Sequence, residues 1–223
     1  INLKKSGISR SSRKSERVGL PRALDVIWEA LDLLKMAKQT DFENAFFQVP
    51  LHPSERKYAV IKFRGRFWVF LRAPQGSRGA PMICGRALAQ AMHISCCTIR
   101  EDQVAAGTYV DDPLSTFAGT DEDIDKNIGK LVAMLLAIGY DLAFNKAQDS
   151  DENQSLTWTS AVLEILHDEL AIRVSIKKEI LDDLSLVIDE ALTKNLMEIK
   201  TLQSLAGNSS CVASLVHVLR PFV

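Results

Sequence analysis

Apolar positions along the chain switch between a helical and an alternating spacing, and the switches predict its elements. Leu24, Ile27, Leu31 and Leu34 recur on one helical face behind Leu20-Pro21, where the missing proline N–H costs least. Lys38-Gln39-Thr40-Asp41-Phe42 reads as the end of a strand, followed by the short segment Glu43 to Val49 and the turn Pro50-Leu51-His52-Pro53. Tyr58 to Phe63 and Phe67 to Leu71 are β-rich runs joined at Arg64-Gly65, a hairpin signal. A loop rich in Pro and Gly, 73–79, leads to a helix from Ala80-Pro81 carrying Ile83, Ala87, Leu88, Ala91 and Met92.

The second half follows the same logic. Ala106 to Val110 is an apolar lead-in to Asp111-Asp112, and Pro113 is expected to stop any simple continuation of the strand. Thr120-Asp121-Glu122-Asp123 is an acidic helix start. Ile124, Ile128, Leu131, Leu135 and Leu136 form its expected buried stripe, with Gly139 as the residue past its end. Short strands are expected at 140–144, 156–158, 162–166 and 170–174, then helices at 176–192 and 199–219, stopped by Pro221. Strands do not alternate strictly with helices, so the expected class is α+β with an antiparallel sheet.

Composition narrows the class without changing it. The chain has 223 residues, 47% of them hydrophobic and 25% charged, as in ordinary globular domains. No apolar run reaches membrane-spanning length, and the first residues lack a signal-peptide core. Cys84, Cys96, Cys97 and Cys211 show neither metal-ligand nor disulfide spacing and read as reduced, intracellular thiols, in cytoplasm or nucleus. The start without Met suggests a domain cut from a larger protein. Net charge is −1, but it is unevenly spread. Eight basic residues (Arg56, Lys57, Lys62, Arg64, Arg66, Arg72, Arg78, Arg86) stand against Glu55, whereas twelve acids between Glu101 and Glu152 face Lys126, Lys130 and Lys146. A basic wall facing an acidic floor suits a polyanionic substrate; two solvated faces of opposite sign would give the same pattern.

The acidic floor contains the most chemical pair, Asp111-Asp112. Adjacent carboxylates repel one another and resist burial. They read either as a solvated turn or as ligands of a hard divalent cation. Asp41 ends another apolar run. If the two runs neighbour each other in one antiparallel sheet, three carboxylates converge at one edge. Such a set can bridge two Mg²⁺ ions about 3.5–4 Å apart.

Three stretches in order carry a resemblance. The run Thr40-Asp41-Phe42-Glu43-Asn44-Ala45-Phe46-Phe47-Gln48-Val49-Pro50-Leu51-His52-Pro53 is similar to the first catalytic motif of retroelement reverse transcriptases. Ala73-Pro74-Gln75-Gly76-Ser77-Arg78-Gly79-Ala80-Pro81 resembles their second, and Tyr109-Val110-Asp111-Asp112 their third. The resemblance implies a right-hand polymerase palm, an antiparallel sheet backed by helices, with partial fingers and a helical thumb. It divides the chain into a basic lead-in and fingers remnant (1–19), a palm with partial fingers (20–155), primer-grip-like strands (156–175) and a thumb-like segment (176–223).

The resemblance also implies roles. Asp41 and Asp111 would be metal ligands, Asp112 would complete the cluster, and the Phe42 carbonyl would be a further ligand for two Mg²⁺ ions, or Mn²⁺ in their place. Phe46 takes the place of the ring that excludes a ribose 2′-hydroxyl. Gln75 and Gly76 would lie against the nucleotide and template, and Arg78 would contact phosphate or simply be a surface Arg. Lys146 resembles the general acid for the leaving pyrophosphate. Tyr109, Trp158 and the thumb positions Gln203, Gly207 and Cys211, at i, i+4 and i+8, would meet nucleic acid. The implied partners are an RNA or DNA template with its primer, deoxynucleoside triphosphates, and other parts of a Pol polyprotein such as ribonuclease H and integrase, with no membrane.

Some positions depart from the family pattern. The basic fingers strand that clamps the triphosphate is absent or cut off. Trp158-Thr159-Ser160 lacks the usual glycine after the aromatic, and Asn208 and Cys211 replace basic and aromatic thumb residues. These departures keep open a second reading: a catalytically inactive, truncated element that at most binds nucleic acid.

Overall fold

The computed structural model describes residues 25, 27, 36–77, 79–150, 155–166, 169, 171–194 and 197–216, without the side chains of Cys211 and Ser214. The acidic residues lie at one end of a four-stranded antiparallel sheet. Its strands are β1 (Met36–Gln39), β4 (Val104–Tyr109), β5 (Asp112–Phe117) and β6 (Gln148–Asp149). Central β5 pairs with β4 on one side and β1 on the other. Both its faces are covered, which explains why Pro113 through Phe117 are all buried rather than alternating.

Side chains leave the sheet towards two cores. Phe117 and Met36 join Phe42, Cys84, Leu88, Met92, Ile124, Leu131 and Leu135 on the helical side. Ala37 and Leu114 point the other way, into a core with Leu156, Trp158, Ala161, Leu163 and Ile165. The second group belongs to a three-stranded antiparallel sheet of β7 (Ser155–Trp158), β8 (Ala161–Leu166) and β9 (Ala171–Ile176). The acidic sheet is therefore held between helices and a smaller sheet.

Two short helices, α1 (Ala45–Gln48) and α2 (Pro53–Arg56), follow β1. The hairpin of β2 (Val60–Phe63) and β3 (Arg66–Val69) forms its own two-stranded sheet. Its turn residues Arg64 and Gly65 both have positive φ (51° and 74°), the twist that closes a two-residue hairpin. Helices α3 (Ala80–Cys96) and α4 (Asp121–Ala137) cover the sheet, and α5 (Lys178–Lys194) and α6 (Ile199–Leu215) form a helical pair at the C-terminal end.

The α4 helix is closed at both ends as its sequence requires. Thr120 Oγ1 accepts from the Asp123 N–H while the Asp123 carboxylate accepts from the Thr120 N–H, a capping box. At its end Gly139, with φ of 92°, donates to Leu136, and Tyr140 donates to Leu135.

Several expectations change. Residues 140–144 do not form a strand: Leu142 makes one isolated bridge to Phe42, and Phe144–Lys146 is a 3₁₀ turn. Ile83 and Leu136 are exposed although their spacing placed them with the core, because each projects well outside the arc of its helix that holds the buried residues. The helix expected near residues 20–34 is described only at Asp25 and Ile27, both helical. Among the described residues no helix is long and apolar enough to cross a membrane.

Candidate active site

Asp41 lies two residues beyond β1, whose register pairs Gln39 with Leu114. Continuing that register brings Asp41 opposite Asp112, the first residue of β5. Asp112 in turn pairs with Tyr109 across the hairpin, so Val110 and Asp111 form the connecting turn. Three carboxylates from positions seventy apart in sequence thereby share one sheet edge.

The chain after Asp41 is fixed by hydrogen bonds to residues 141–143. The Asp41 carbonyl accepts from Ala143 N–H at 2.8 Å, and Glu43 N–H donates to Asp141 at 3.0 Å. In that bridge pattern the Phe42 carbonyl points away from residues 141–143. The Phe42 ring is buried and meets Tyr140 edge-on at 5.5 Å. Asn44 turns the chain in the left-handed region (φ 50°, ψ 45°), a conformation Asn tolerates. The Gln48 amide then ties the turn together: its Nε2 donates to the carbonyls of Glu43 and Asp141, and its Oε1 accepts from Asp141 N–H at 2.9 Å. The role of Gln48 was not legible in sequence, because its partner lies far along the chain.

The turn carrying Gln75 and Gly76 is exposed, with Gly76 at φ 88°. It is tethered to the Asp41 segment: Arg72 Nη1 donates to the Gln48 carbonyl at 2.7 Å, and Ala73 N–H donates to Val49 at 2.9 Å. Phe46 is half-buried, with part of its ring against the helical-side core. Arg78 lies outside the described residues.

Lys146 closes the edge from the 3₁₀ turn. Its Nζ stands 3.0 Å from Asp41 Oδ2, and the hydrogen bond to that carboxylate holds its pKa above the ordinary lysine range. Burial pushes the Asp112 carboxyl up to about 6, reinforced by the charges of Asp111 and Asp41 and opposed by Lys177 and Lys146. Burial raises Asp111 as well, with Asp41 adding to the rise and its own backbone hydrogen bond opposing it. The cluster thus carries more negative charge than its two lysines neutralise.

That imbalance and the hard oxygen donors fit a divalent cation. The geometry is less closed than the sequence suggests. Among the described residues no group of three or more His, Cys, Asp or Glu side chains is drawn together as a metal-holding set. The Lys146 ammonium instead supplies positive charge directly at Asp41.

Trp158 does not meet the expectation of nucleic-acid contact. It is fully buried (0% exposed), and its Nε1 donates to the Asp112 carbonyl at 3.1 Å. An indole in a dry core finds a partner for its N–H, and here the partner is the hairpin that carries Asp111 and Asp112. Tyr109 is half-buried and packs edge-on against that ring at 6.4 Å. On α6, Gln203 and Gly207 are exposed, with open space where a Gly207 side chain would stand. The Cys211 side chain lies outside the described residues.

An antiparallel sheet backed by helices, with acidic residues gathered at one edge, is the palm-like α+β fold of a template-directed polymerase. The reverse transcriptase (RNA-dependent DNA polymerase) family model matches residues 12–162, and the chain belongs to that family. Solved structures share the fold. The foamy viral protease-reverse transcriptase dRH in complex with double-stranded DNA has a TM-score of 0.64 at 16% identity, covering 93% of this chain and 32% of that one. The foamy viral enzyme in complex with an RNA/DNA hybrid gives 0.60 at 17% identity, covering 92% and 26%. The chain therefore spans about a third or less of those proteins' length. No curated protein sequence matches it.

Proposed function

We propose that this chain is the polymerase segment of a retroelement RNA-directed DNA polymerase, extending a primer 3′-hydroxyl with deoxynucleoside triphosphates on an RNA or DNA template. The observation that carries the reading is the strand register that places Asp41 beside the Asp111-Asp112 hairpin at one sheet edge, with Lys146 on Asp41. Asp41, Asp111 and the Phe42 carbonyl, completed by Asp112, would hold two Mg²⁺ or Mn²⁺ ions. Bound there, such ions supply charge neutralisation at the transferring phosphate and activation of the attacking hydroxyl.

The rest is work for the chain's own groups. Lys146, held as an ammonium by Asp41, carries a proton that it can hand to the departing pyrophosphate. The Phe46 ring takes the position beneath the incoming sugar and crowds a 2′-hydroxyl. Gln75 and Gly76, on a turn tethered beside the Asp41 segment, line the nucleotide, with Gly permitting close backbone approach. Gln203, Gly207 and Cys211 on α6 follow the duplex. The solved relatives bound to DNA and to an RNA/DNA hybrid support a nucleic-acid partner. In this reading residues 20–155 are palm with partial fingers, 156–175 primer grip and 176–223 thumb, while ribonuclease H and integrase belong to other parts of the polyprotein.

Primer extension in Mg²⁺ by the wild-type chain and by Asp111→Asn tests the proposal, with circular dichroism to verify folding. The variant should lose extension and keep its fold. Full extension by Asp111→Asn would overturn the ligand assignment. Duplex binding by a wild-type chain that extends nothing would favour the inactive, binding-only element.

A further inference from the structure

Val110, the residue before Asp111, has a φ of +58°. A β-branched side chain is strongly disfavoured in that region, and such strain persists only where the surroundings over-determine it. One of those surroundings is a bare helix backbone. A Cβ built on Gly85 of α3 would stand 3.4 Å from Val110 Cα, 3.6 Å from its carbonyl oxygen and 4.0 Å from its carbonyl carbon. A methyl group therefore fills the available gap. Anything larger meets main-chain atoms, which cannot rotate aside as a side chain can.

Gly85 has no conformational reason to be glycine. It lies inside a 17-residue helix and is not among the glycines with positive φ. Glycine in a helix interior is unfavourable relative to alanine. The other helical glycines described, Gly129 of α4 and Gly207 of α6, face open space. Only at Gly85, among these three, does the helix run against other backbone. The neighbouring Cys84 thiol is wholly buried, and burial pushes its pKa up to about 11, with the charge of Asp111 adding to the rise.

We propose that Gly85 is a positioning residue: by bringing the bare backbone of α3 onto the Val110-Asp111 turn, it seats that turn and fixes where the Asp111 carboxylate stands. The functional consequence rests on the reading of Asp111 given above, whereas the seating of the turn does not.

The test is a steric series, Gly85→Ala, Gly85→Val and Gly85→Leu, with three measurements. The first is the amide-to-Hα coupling and intraresidue NOE of Val110, which report its positive φ without requiring activity. The second is Mn²⁺ affinity by electron paramagnetic resonance. The third is the split between kcat and the KM for deoxynucleotide. Alanine should leave the Val110 signature and metal affinity near wild type while raising thermal stability through helix propensity. Valine and leucine should change the signature, weaken Mn²⁺ by about 10-fold and lower kcat by about 100-fold with little change in KM. Should the larger variants fail to fold, Gly85→Ser, one atom beyond alanine, carries the same readouts. A folded serine, valine or leucine variant with the wild-type Val110 signature would overturn the proposal. If the wild type neither binds Mn²⁺ nor extends a primer, the polymerase reading fails, and the Val110 signature still decides whether Gly85 seats the turn.

Discussion

The Trp158 indole donates its Nε1 proton to the Asp112 carbonyl at 3.1 Å, joining the small three-stranded sheet to the Asp111-Asp112 hairpin. The acidic edge is thus held from both sides, by α3 beneath the turn and by a buried indole behind Asp112.

Replacing Trp158 with Phe keeps most of the ring and removes the donor. Urea unfolding should show a loss of about 1 kcal/mol, and primer extension should slow through kcat. Trp158→Ala, which empties a large buried site, should cost about 3–5 kcal/mol. A Phe variant indistinguishable from wild type in both measurements would show that the bond positions nothing.

Lys146 is an exposed side chain whose contact of interest is Asp41. Lys146→Ala should therefore fold normally. Single-turnover primer extension should slow by about 10²–10⁴-fold, the usual contribution of a general acid, with nucleotide KM changed far less. An unchanged rate would assign the proton transfer to another group.

Phe46 is only half-buried, so truncating it leaves most of the core in place. Phe46→Ala should narrow the preference for deoxynucleotides over ribonucleotides by about 10²-fold, read as the ratio of kcat/KM values. Discrimination equal to wild type would remove Phe46 from the sugar pocket.

Asp112 predicts a pH dependence in metal-free buffer. Its folded pKa of about 6 lies above the ordinary 3.8, through burial and the charges of Asp111 and Asp41. The folded state therefore binds this proton more tightly than the unfolded state. Stability should fall as pH rises from about 4 through 6 and stay lowered above it. The full effect would be about 3 kcal/mol, but screening of this half-exposed group reduces it to the order of 1 kcal/mol. Asp112→Asn should accordingly raise the urea midpoint at pH 7 and lose that advantage near pH 4. Equal gains at both pH values would contradict the assigned cause.

Local chemistry was legible where neighbours in sequence are neighbours in space. The Arg64-Gly65 hairpin, the Thr120 cap and the Gly139 helix end all depend on contacts within a few residues. The strand expected at 140–144 does not form because its apolar residues pack singly, Tyr140 against Phe42 and Leu142 in one bridge, without a continuous ladder. The resemblance placed Trp158 against nucleic acid, because a ring that stacks on a base and a ring that fills a core look alike in sequence.

The sequence by itself determined the residue types of the candidate site: Asp41, Asp111, Asp112, Lys146 and Phe46, in an order specific enough to define the family. Tertiary structure decided what those residues face. Antiparallel pairing of β1 with β5 brings Asp41 beside Asp112, a long-range register that residue spacing does not encode. Burial then determined that Trp158 supports the hairpin instead of meeting nucleic acid, and that Gly85 lies against strained backbone. Such contacts depend on which faces are excluded from water once all the elements pack, a property of the assembled fold.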